Sequence, residues 1–194
     1  VWVGALIAHY RFDPQQAGLL ATLFLAGAVL ASLTLAPRFN RLNGRLVATL
    51  GFGGAALGFG LASTSAEFGM LAALHALSGV AAGAALSVTH GTIARSARPH
   101  RLFALAGIAL GVFAIVFLGA TPPLVAALGG HVLFQVFAGV MAVGALVSAL
   151  AFPVADMPAA AHVPRSPGPP PGGIPRAVWF GIVGIGCMGL VQAM

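Results

Sequence analysis

Apolar residues run along this chain in long blocks that are apolar all round, and the polar positions fall in short clusters between them. Pro14–Pro37, Leu46–Ala66, Phe68–Ala94, Leu102–Ala155 and Ala177–Met194 contain no charged side chain. A helix crossing about 30 Å of hydrocarbon needs about 20 residues, so these runs are of spanning length. Leu102–Ala155 is long enough for two spans, with Pro122-Pro123 and Gly129-Gly130 marking a turn between them. The pattern predicts a partial helix at 1–10, full helices near 15–36, 46–65, 68–94, 102–122 and 132–152, and a further helix near 177–194. A transmembrane barrel would alternate polarity along strands of about ten residues, which these runs do not. In lipid only a helix satisfies its own backbone donors and acceptors along one segment.

Composition supports the same reading. Hydrophobic residues make up 59% of the 194 and charged residues 6%, against about 25% charged in ordinary soluble proteins. A soluble domain and a disordered chain are both excluded, the second because disorder needs low hydrophobicity. The single Cys187 excludes a disulfide scaffold. Eight of nine arginines, Arg38, Arg41, Arg45, Arg95, Arg98, Arg101, Arg165 and Arg176, fall in loops on one side of the predicted bundle. The other side carries Arg11, Asp13 and Glu67. The positive-inside rule makes loops 38–45, 95–101 and 153–176 cytoplasmic in an inner (plasma) membrane. These clusters are short and sit at span ends, so no nucleic-acid partner is expected. The chain starts at Val1 inside an apolar run, which reads as a truncated first span of a longer protein.

Residues 153–175 hold eight of the thirteen prolines, including Pro169-Pro170-Pro171, and should form an extended linker. The expected organisation is an N-terminal bundle at 1–152, a Pro/Gly-rich cytoplasmic linker at 153–175, and the start of a C-terminal bundle at 176–194. Within the spans, Gly54 and Gly58, Gly79 and Gly83, and Gly107 and Gly111 are each four apart. Small residues at that spacing let helices approach closely where lipid supplies no hydrophobic drive.

Two stretches resemble the major facilitator superfamily of secondary transporters. The segment Ala36-Pro37-Arg38-Phe39-Asn40-Arg41-Leu42-Asn43-Gly44-Arg45 is similar to the family's loop Gly-x-x-x-Asp-Arg-x-Gly-Arg. Ala36 stands for the Gly and Asn40 for the Asp; Arg41 matches, and Gly44-Arg45 match after one extra residue. In the fourth span, His75 takes the place of an arginine in the family's Arg-x-x-x-Gly, with Gly79 following. The order of six spans, a long cytoplasmic loop and more spans also fits. The resemblance implies an all-α membrane protein: a polytopic six-helix transmembrane bundle, the N-terminal half of a twelve-helix fold, plus the start of a seventh helix. It further implies a secondary active transporter of small organic solutes that works by alternating access. Asn40 can hydrogen-bond but brings no charge, and a charge-assisted bond is about twice as strong as a neutral one, so the loop should latch more weakly than the family's.

No Asp, Glu or Arg lies deep in any span. Polar groups at mid-membrane are costly and mark function, so the substrate and proton candidates are His75, Ser78, His90, Thr121, Gln135 and Gln192. His75 and His90 share one broad face of their helix but lie about 22 Å apart along it, so they are not a metal pair. A histidine's usual pKa of about 6.5 suits proton coupling. Each candidate also has a plain structural reading, as a hydrogen bond between helices or at a helix end. His9 and His131 are expected at the outer interface, with Tyr10 and Trp2 in an aromatic belt. No cofactor or metal is implied, no catalytic set is present, and a monomer in the bilayer is expected. The other reading open at this point is an integral membrane enzyme or a non-transporting membrane assembly subunit.

Overall fold

The polar residues between the apolar blocks act as helix caps. Asp13 accepts a hydrogen bond from Gln16 N at 2.7 Å, and the Gln16 side chain accepts one from Asp13 N at 3.2 Å. Asn43 accepts from Leu46 N at 3.1 Å, and Glu67 accepts from both Gly69 N and Met70 N. Each cap satisfies amide donors that a helix start leaves unpaired, and each starts an apolar block. Asp13→Ala should therefore cost about 1 kcal/mol, read as a lower denaturant midpoint for the purified protein; an unchanged midpoint would show that the cap contributes nothing.

The computed structural model describes residues 2–153. They form α1 (Trp2–Tyr10), α2 (Pro14–Leu35), a 3₁₀ turn (Ala36–Arg41), α3 (Gly44–Ala62), α4 (Phe68–Ala94), α5 (Pro99–Leu128) and α6 (His131–Ala151). No strand occurs among the described residues. Counting α2 with its 3₁₀ extension, five of these helices are long and apolar enough to cross a membrane. The linker at 153–175 and the seventh span at 176–194, Gln192 included, lie outside the described residues from residue 154 on.

One boundary departs from expectation. α5 runs through Pro122 and Pro123 to Leu128, where a helix ending near 122 was expected. The two prolines deprive the carbonyls of Leu118 and Gly119 of their helical donors. Unwinding in apolar surroundings would strand more backbone groups than that, so the helix continues. The chain reverses at Gly129 instead, at φ 99°, a left-handed conformation that glycine adopts without a Cβ clash.

α4 is the central element and packs against α2 on one side and α3 on the other; α3 also packs on α6. The α2–α4 contact is a backbone-to-backbone seam. A Cβ on Gly27 would stand 2.5 Å from the Ala76 carbonyl, one on Gly83 2.5 Å from the Ala28 carbonyl, and one on Gly79 would meet the Phe24 carbonyl. Ser87 donates to Ser32 Oγ at 2.8 Å across the same seam. The α3–α4 contact repeats the device at Gly51, where a Cβ would stand 2.5 Å from the Ala81 carbonyl. α5 differs, because among the described residues it buries only Thr121 and Val125. Gly107 and Gly111 have no neighbour within 4 Å on the other described helices.

Candidate functional site

His75 and Ser78 lie one turn apart on the buried face of α4, at 0% and 1% exposure. Among the described residues His75 is the one ionisable side chain in the buried class. Its Nδ1 donates to the Leu71 carbonyl at 2.7 Å, a contact that assigns the proton to Nδ1 because a carbonyl can only accept. Nε2 is then left as an acceptor, and it has no partner among the described residues. Ser78 Oγ is also unpartnered; it lies against Gly58 of α3, where a Cβ would collide with it. A buried polar atom without a partner costs about 1–3 kcal/mol, so such atoms call for an explanation.

Rings surround His75. Trp2 of α1 stacks on the imidazole, with centroids 5.3 Å apart and planes 23° apart. Phe134 of α6 meets it edge-on at 5.4 Å and Phe59 of α3 at 5.8 Å. Phe24 and Phe137 complete the cluster by packing edge-on against Trp2 at 5.5 and 5.3 Å. Trp2 is half-buried, and its Nε1–H is a third polar group without a partner among the described residues. Five helices thus converge on one spot.

Trp2 corrects the expected aromatic belt, since its ring is in the bundle interior and not at an interface. The signal was in the numbering. Eight residues at about 1.5 Å each put Trp2 about 12 Å from Tyr10, and seven put His75 about 10 Å from Phe68. Both helix ends lie on the same side of the bundle, so the two rings share one depth. Phe59, Phe134 and Phe137 carried no such signal, because nothing in an all-apolar span tells which face turns inward.

The other candidates are dispersed. His90 is exposed at the far end of α4, tilted against Phe103 at 6.1 Å. Gln135 is exposed on α6. Thr121 is buried on α5, on the face of Val125, which packs with Ala5 and Leu133. His9 and His131 line an open cleft of about 430 Å³ at the end opposite the arginine-rich loops, with Arg11 and Ser63–Ser65. Tyr10 also lines that cleft and touches Phe134 at 5.7 Å, and Phe134 touches His75. One ring therefore stands between the cleft and the histidine.

At the arginine-rich end, the loop resembling the family motif is tied down at several points. Arg45 donates to the Ala149 carbonyl of α6. A Cβ on Gly44 would stand 3.0 Å from the Phe152 ring. Phe39 sits against Gly91 of α4, and the Arg95 guanidinium lies 4.1 Å above the Phe39 ring. Ala36 and Arg41 are exposed at the two ends of the 3₁₀ turn that contains Asn40.

Compared with known families, residues 1–194 match the family model described as Major Facilitator Superfamily. No match is found among curated proteins or among solved structures.

Proposed function

Because the chain belongs to the Major Facilitator Superfamily, a family of multi-pass membrane transporters and not enzymes, we propose that it moves a small organic solute across the inner (plasma) membrane by alternating access. The described helices form one bundle, which rocks against a second about a central site. Loops 38–45 and 95–101 face the cytoplasm in this reading, as the arginine distribution implies. His75 and Ser78 contribute to the site from α4. The observation that carries the assignment is the unpartnered His75 Nε2 at the focus of five helices. A structural histidine would spend both ring nitrogens on neighbouring groups; this one holds a nitrogen in reserve. His90 and Gln135 are exposed and stand outside this site in our reading, whereas Thr121, buried beside a cluster that Trp2 also packs against, remains a candidate for it. Any coupling proton would be carried by His75, the one buried ionisable group among the described residues.

Full-length protein in proteoliposomes, given a panel of radiolabelled solutes with and without a pH gradient, tests the reading. Uptake of at least one solute is expected, and His75→Ala should reduce it at least about ten-fold, the loss of about 1.4 kcal/mol of binding, while the protein stays monodisperse. Folded protein that moves nothing on the panel would overturn transport in favour of an assembly role. Full uptake by His75→Ala would remove His75 from the site.

A further inference from the structure

The ring cluster around His75 has a chemical selectivity that its unpartnered atoms define. Trp2 Nε1–H can only donate, and His75 Nε2, with the proton on Nδ1, can only accept. Both are left over on stacked rings 5.3 Å apart. A group that accepts from one and donates to the other would satisfy both at once, and a single hydroxyl or ring N–H group with a neighbouring acceptor does this. The remaining surface is π-face and ring edge from Phe24, Phe59, Phe134 and Phe137, which favours a flat aromatic guest in stacked or edge-on contact.

Charge narrows the guest further. Among the described residues, no Asp, Glu, Lys or Arg belongs to this cluster. A carboxylate here would be buried without a counter-charge, which is costly. A quaternary ammonium would gain from the π-faces, yet it would leave the Trp2 donor and the His75 acceptor unmet. We infer that the site takes a neutral planar aromatic solute bearing a hydroxyl or ring N–H, held between the Trp2 indole N–H and His75 Nε2. This rests on the transporter reading above and adds the class of solute. Trp2 serves as the wall that gives way. It is half-buried where His75, Phe59 and Phe134 are buried, so admitting the guest parts the Trp2–His75 stack and draws the Trp2 ring away from Phe24, Phe59 and Phe137.

The test uses full-length protein in lipid nanodiscs and calorimetric binding of three soluble probes: phenol, fluorobenzene and 4-hydroxybenzoate. The hydroxyl should confer about ten-fold tighter binding on phenol than on fluorobenzene, the worth of one well-made hydrogen bond. The anionic 4-hydroxybenzoate should bind more weakly than either. Trp2→Phe keeps a ring and removes the N–H, and His75→Phe keeps a ring and removes the acceptor. Each should erase most of the ten-fold preference. Should His75→Phe fail to fold, Trp2→Phe still decides. Equal binding of phenol and fluorobenzene, preference for the anion, or a preference that survives Trp2→Phe would each overturn the inference. The two readings fail separately. Uptake of other solutes without phenol binding leaves transport standing and sinks this solute class. Hydroxyl-selective binding without uptake of any solute keeps the site and sinks transport.

Discussion

Gly79→Leu is expected to abolish the folded bundle. At Gly79 the backbones of α2 and α4 are in contact, so even a methyl group would be driven into the Phe24 carbonyl, which is main chain and cannot rotate aside. Gly27 and Gly83 hold the same seam on either side, each leaving 2.5 Å to a main-chain carbonyl. Overpacking by one or two methylenes typically costs about 1–3 kcal/mol, and leucine adds four carbons where there is room for none. Because α4 also carries α3, prying it off α2 dislodges the core of the described unit. Gly107→Leu is the control: it adds the same side chain to α5, where nothing lies within 4 Å among the described helices, and should leave folding unchanged. Size-exclusion chromatography of both variants after detergent extraction reads the difference. Monodisperse Gly79→Leu at wild-type yield would refute the seam.

That contrast also shows what periodicity in the sequence could and could not tell. Gly79 and Gly83 on α4 and Gly107 and Gly111 on α5 have the same spacing, yet only the first pair meets another described helix. Four-residue spacing says that one face of a helix is smooth, and it does not say which helix lies against that face. The span boundaries were far more legible. Asp13, Asn43 and Glu67 are polar groups that an apolar block cannot absorb, and each caps the helix that follows. Pro122-Pro123 misled because a proline pair is a strong breaker in water, where freed carbonyls are solvated, and a weaker one where water is absent.

The site was legible in its centre and illegible in its walls. His75 stood out because an ionisable residue inside an apolar span is costly, and Ser78 followed from its place one turn away. The rings that enclose them come from α1, α2, α3 and α6, and apolar residues cover every face of those spans. Contact among Trp2, Phe59 and Phe134 is therefore a tertiary fact. The leftover donor on Trp2 and acceptor on His75 also exist only once the rings are stacked.

Gly91→Leu should release the motif-bearing loop from α4. The ring of Phe39 occupies the space that glycine leaves at position 91, and Arg95 closes over the ring at 4.1 Å. Leucine would fill the seat and expel the ring, and with it the cation–π contact, worth about 0.5–2 kcal/mol. Losing one to two kcal/mol raises the open population about five- to thirty-fold. In a Cys187→Ser background, maleimide labelling of Leu42→Cys, a half-buried position just past the turn, should speed up by that factor. Arg95→Ala removes the cation and keeps the seat, so its effect should be smaller than that of Gly91→Leu. Unchanged labelling in monodisperse Gly91→Leu would mean the seat does not hold the loop. The charge logic gives this contact its weight. Where the family loop has an aspartate, this chain has Asn40, an amide without net charge. A ring seated on a glycine and covered by an arginine holds the adjoining residue of the same 3₁₀ turn by packing and cation–π attraction, neither of which requires a carboxylate.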